Sequence, residues 1–79
     1  MVEVFKTNVT SIHQASALVD VIRYHFKHYK VNFDLDDCDR ILRIESSRKI
    51  DPEPVLELLK DMGVTAEVLL DEPFLLIIS

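Results

Sequence analysis

The apolar residues of this chain follow two spacings in turn, and the order of that alternation limits the folds open to it. Val2 to Val9 is rich in β-branched and aromatic residues, with Phe5 and Val9 on one side of the pleat and Val2 and Val4 on the other. A first strand with some burial on both faces is expected. From Ile12 the spacing becomes helical: Ile12, Ala15, Leu18, Val19, Ile22, Phe26 and Tyr29 recur every three or four residues, which predicts a helix of about five turns. Val31, Phe33 and Leu35 then alternate with Lys30, Asn32 and Asp34, the period of a strand with one buried face. Asp36-Asp37-Cys38-Asp39 supplies turn formers, and Arg40 to Glu45 returns as a third strand, closing a hairpin.

Asp51-Pro52 reads as a helix start, an N-cap acceptor followed by proline at the first helical position, with Glu53 near the positive end of the helix dipole. Val55, Leu58, Leu59 and Met62 form its buried stripe, and Gly63 is placed for a left-handed C-cap. Val64 to Leu70 is a fourth strand with Ala66, Val68 and Leu70 on one face. The order βαββαβ predicts an α+β, ferredoxin-like sandwich: an antiparallel four-stranded sheet with both helices as crossovers on one face. Residues 1–79 form a single domain on this reading, with 71–79 as a C-terminal extension.

Composition narrows the partners. A formal charge of -5 and a pI near 5.0 argue against nucleic acid or an anionic lipid surface, both of which reward clustered Lys and Arg. Tyr24 and Tyr29 make no stacking platform, which would need aromatics on the open sheet face in a basic field. A lone cysteine, Cys38, rules out an internal disulfide framework, and no stretch approaches the ~20 apolar residues of a membrane helix. The start, Met1 to Lys6, carries an acid where a signal peptide would be basic, so a cytoplasmic protein is expected.

The loop Asn8-Val9-Thr10-Ser11-Ile12-His13-Gln14-Ala15, the strand Val31-x-Phe33-Asp34-Leu35 and the segment Leu58-Leu59-Lys60-Asp61-Met62-Gly63-Val64 together resemble the heavy-metal-associated domain of copper chaperones and metal-transporting ATPases. The resemblance covers about residues 2 to 70. In that family the loop after the first strand reads G-M-T-C-x-x-C. Here Val9 takes the methionine position, Thr10 is retained, and Ser11 and Gln14 replace the two cysteines. The resemblance therefore implies the fold and a loop equivalent to the family's metal site, but without the thiolates that hold a soft ion.

Ser11 and Gln14 have an explanation that needs no ligand. Ser-x-x-Gln before a helical stripe is a capping box, in which the serine oxygen accepts from the third helical amide and the glutamine reaches back. The topology brings His13, the Asp36 to Asp39 turn and Met62-Gly63 to one end of the sheet, so His13, Cys38 and Asp37 are the residual metal candidates, for zinc or copper. Two ligands of uncertain separation are short of the three or four that zinc requires. His25 and His28 are spaced one helical turn apart, yet cationic side chains at a helix C-terminus, like Lys27 and Lys30 beside them, oppose the dipole without any metal.

Catalysis finds little support. One glycine in the whole chain leaves no phosphate-cradling loop, and no arginine in the first loop offers the grip of an acylphosphatase. The expectation is a non-catalytic binding or interaction module, requiring no cofactor, that has lost the family's soft-metal site and serves an unidentified protein partner. The alternatives are a degenerate metal-binding protein using His13, Cys38 and nearby carboxylates, and a small-molecule regulatory dimer. After the turn Asp71-Glu72-Pro73, the run Phe74-Leu75-Leu76-Ile77-Ile78 is too apolar to hang in water. A fifth strand, or a homodimer contact through Phe74 to Ile78, is expected.

Overall fold

The computed structural model describes residues 1–36 and 38–69. Asp37, Leu70 and the expected C-terminal strand or dimer contact at 74–78 lie outside the described residues. The elements are β1 (Val2–Thr7), α1 (Ile12–His25), β2 (Lys30–Asp34), β3 (Ile41–Glu45), α2 (Pro52–Asp61) and β4 (Ala66–Val68). The sheet order is β2-β3-β1-β4, with every neighbouring pair antiparallel. Each helix therefore crosses over one intervening strand, and the chain has the ferredoxin-like α+β architecture.

The pairing register sorts the side chains onto two faces. Phe5 lies opposite Leu42 in β3 and Val68 in β4, and Val31 lies opposite Ile44. These residues face the helices, where Phe5, Val9, Leu18, Ile22, Leu42, Ile44, Val55 and Leu59 are almost wholly buried. The other face carries Lys6, Lys30, Asn32, Asp34 and Arg43, with Ile41 between them. Because Phe5 and Phe33 point to the core side, the described open face presents no aromatic ring.

The second helix is built as its sequence specifies. Asp51 accepts a hydrogen bond from the Glu53 amide at 3.2 Å, and proline occupies the first turn. At the other end Gly63, at φ +79°, donates to the Lys60 carbonyl, while Val64 donates to that of Leu59. These are the two bonds of a Schellman motif, and its apolar contact is supplied by Leu59 and Val64, both in the core.

The first helix is shorter than expected. It ends at His25, and Phe26 caps it by donating to the Ile22 carbonyl at 2.8 Å. Lys27 and His28 then form a turn closed by the Tyr29 amide on the Phe26 carbonyl at 3.0 Å. A tight turn separates its ends by three residues, as a helix does, so Phe26 and Tyr29 keep the apparent period. Their rings stack with centroids 5.2 Å apart and planes inclined by 15°. Thus His28 is outside the helix. The strands are also trimmed: β1 stops at Thr7 rather than Val9, β3 begins at Ile41 rather than Arg40, and β4 spans three residues. Beyond β4, the Leu69 amide still donates to the Val4 carbonyl at 2.8 Å, so the extended pairing outlasts the strand by one residue.

Candidate functional site

Three connections meet at the end of the sheet where the metal loop was expected, and Thr7 joins two of them. Thr7 is the buried polar residue among those described, at 7% exposure. Its hydroxyl donates to the Arg40 carbonyl at 2.7 Å and accepts from the Val9 amide at 3.2 Å, and its own amide donates to the Asp39 carbonyl. The acceptor bond turns the chain out of β1 and drives Val9 into the core, so the loop leaves the sheet at a fixed angle. Asn8 completes the set: its amide donates to the Thr65 carbonyl and its side-chain oxygen accepts from the Thr65 amide, both at 3.1 Å. The loop 8–11, the hairpin turn 35–40 and the connection after α2 are thereby tied at one end, as the topology predicted.

The loop's remaining polar groups are spent on the helix. The Ser11 oxygen accepts from the amides of His13 at 3.2 Å and Gln14 at 3.4 Å, with backbone angles of an N-cap. The reciprocal half of the capping box is missing, because among the described residues the Ser11 amide donates no hydrogen bond to the exposed Gln14 side chain. The serine alone accounts for the cap.

The hairpin turn is shaped by its own carboxylates and backbone. Asp34 accepts from the Asp36 amide at 3.0 Å, an Asx-turn. Arg40 takes φ +51°, a left-handed conformation that a bulky side chain adopts at a cost. The Thr7 hydroxyl holds its carbonyl in place. Asp39 also forms an ion pair with Lys6 at 3.7 Å, with both side chains about half exposed.

His13 and Cys38 are both exposed at this end, Cys38 as a free thiol. Among the described residues no group of three or more His, Cys, Asp or Glu side chains is arranged to hold a metal ion, and Asp37 lies outside them. His25 and His28 line a groove of about 270 Å³ at the far end, together with Arg48 and Lys49. Those two cations disfavour a divalent ion there.

One concavity was not legible in the sequence. A groove of about 420 Å³ runs between α1 and β2, lined by Ile12, Ala15, Val19, Phe33 and Leu35, with Asp34 and Asp36 at its rim. Ile12, which the helical period assigns to the buried stripe, is 72% exposed. It occupies the first position of α1, just past the cap. Val19, Phe33 and Leu35 are half-buried along the same groove. On its outer side β2 has no partner strand among the described residues.

Comparison with known proteins adds no assignment: no family model matches this chain, and no curated protein matches it either.

Proposed function

We propose that this chain is a non-catalytic interaction module, built on a scaffold resembling the heavy-metal-associated domain without its soft-metal site, whose working surface is the groove between α1 and β2. The carrying observation is the 72% exposure of Ile12 beside half-buried Val19, Phe33 and Leu35 along an edge strand. An apolar cleft that continues into an open strand edge suits an extended segment of another protein, which gains main-chain pairing from the edge and side-chain burial from the cleft.

The loop end supports the same reading. Ser11 and Thr7 direct their oxygens at backbone amides or carbonyls of this chain, which leaves little for a ligand. Among the described residues, no buried side-chain nitrogen or oxygen lacks a hydrogen-bond partner. No helix among them is long and apolar enough to cross a membrane.

Competition for Cu(I) against a chromogenic chelator tests the loss of the metal site. The chelator should keep the metal. Stoichiometric withdrawal of Cu(I) by the protein, persisting in Cys38→Ser, would overturn the assignment.

A further inference from the structure

We propose that the occupant of the α1–β2 groove is the segment Phe74–Ile78 of a second copy of this chain, so that two copies exchange their C-terminal segments as added edge strands. This rests on reading the groove as the working surface. Three observations lead to it.

The segment and the groove match chemically. Phe74-Leu75-Leu76-Ile77-Ile78 is uncharged, free of proline and glycine, and dense in β-formers, the composition of a strand that seeks an edge. Along β2, Val31 and Phe33 face the helix side and the alternate residues Lys30, Asn32 and Asp34 face away. A strand laid outside β2 therefore sends every second side chain towards Ile12, Val19, Phe33 and Leu35.

The other edge of the sheet offers less room. The concavity beside β4 is about 250 Å³, against about 420 Å³ for the groove at β2.

Chain length then decides which copy supplies the segment. β4 and β2 are the opposite edges of the sheet, and the described chain leaves from Leu69 beside Val4 in β1. From β4 to a strand outside β2 is four strand spacings, about 19 Å in a straight line through the sheet itself. The five residue steps from Leu69 to Phe74 span at most ~18 Å fully extended, and they include the turn formers Asp71-Glu72-Pro73. The path must also round the sheet. The segment cannot reach the groove of its own copy, whereas in a two-fold pair each segment needs only to cross the interface.

Two full-length variants test the exchange. Ile12→Asp places a charge in the groove at an exposed position of the first helical turn, where an acid is favourable to the helix. Leu76→Asp with Ile77→Asp puts one charge on each face of the added strand. The unaltered chain should have twice the 9.1 kDa protomer mass in light scattering. Each variant should raise the dimer dissociation constant by ~30-fold or more. Mixed together, they retain one intact groove and one intact segment. Labelling the segment variant with nitrogen-15 and adding unlabelled Ile12→Asp should then shift the Val31 to Leu35 amides. An unaltered chain that is monomeric at ~1 mM, an Ile12→Asp chain that stays fully dimeric, or a mixture without those shifts would each overturn the exchange. None of these results touches the metal competition, so the absence of a soft-metal site fails or stands separately.

Discussion

Replacing Thr7 with valine removes one hydroxyl and changes almost no volume, which makes it a clean measure of how the loop end is held. The hydroxyl is buried, donates to the Arg40 carbonyl at 2.7 Å and accepts from the Val9 amide at 3.2 Å. Each bond contributes roughly 1 kcal/mol net, and a buried group left unpaired adds a further ~1–3 kcal/mol. Val9 is fully buried, so its amide is the group most exposed to that penalty. Against this, the new methyl group gains up to ~0.8 kcal/mol of apolar burial. The balance is a loss of about 2–4 kcal/mol, which for a domain of this size lowers the melting temperature by ~8–32 °C. Urea and thermal denaturation should give concordant values at unchanged m-value, and Thr7→Ser should recover most of the loss. A Thr7→Val protein within ~0.5 kcal/mol of the parent would refute the account, because surface substitutions away from such features also fall within that range.

Arg40→Gly should leave stability unchanged or raise it by up to ~1 kcal/mol, since φ +51° is unfavourable for arginine and open to glycine; a clear loss in chemical denaturation would mean that the side chain contributes more than its backbone costs. Gly63→Ala should cost ~1–2 kcal/mol although a Cβ there meets no atom within 4 Å, because φ +79° and not space is the constraint; a neutral result would require the helix end to rearrange. Ser11→Ala should cost ~0.5–1 kcal/mol in urea denaturation, at the low end for caps because both bonds are exposed and one is 3.4 Å long. Lys6→Met should change stability by less than ~0.5 kcal/mol, with little response to added salt, as expected of a half-exposed ion pair at 3.7 Å.

What could be read from the sequence, and what could not, divides by range. The second helix was legible at both ends, since Asp51-Pro52 and Gly63 act on amides and carbonyls within four residues of themselves. The succession of elements along the chain followed from the alternation of periods, because alternate burial in β2 is a property of that strand alone. The end of the first helix was misread because Phe26 and Tyr29 stack across a turn with the helix's own three-residue separation. The exposure of Ile12 escapes the helical period because it depends on what packs against the first turn of α1, which no local period encodes. Thr7 was passed over for the same reason, as its partner Arg40 is 33 residues away.

That division explains how the loop keeps its shape without the two cysteines of the domain that the sequence resembles. A metal clamp would fix the loop by joining two of its own side chains. Here the loop is fixed from outside: Thr7 ties it to the hairpin turn, Asn8 ties it to Thr65, and Val9 anchors it in the core. Ser11 then needs only to start the helix. In such a loop, positions 11 and 14 tolerate weak ligands because neither closes the structure. The corollary is that placing cysteines at both positions should add a thiolate pair to a frame already in place. The double variant Ser11→Cys, Gln14→Cys should fold without metal, losing no more than the cap contributes, ~1 kcal/mol, and should take Cu(I) from a chelator that the parent cannot compete with. A variant that unfolds without metal would mean that the serine cap, and not Thr7 and Asn8, sets the loop.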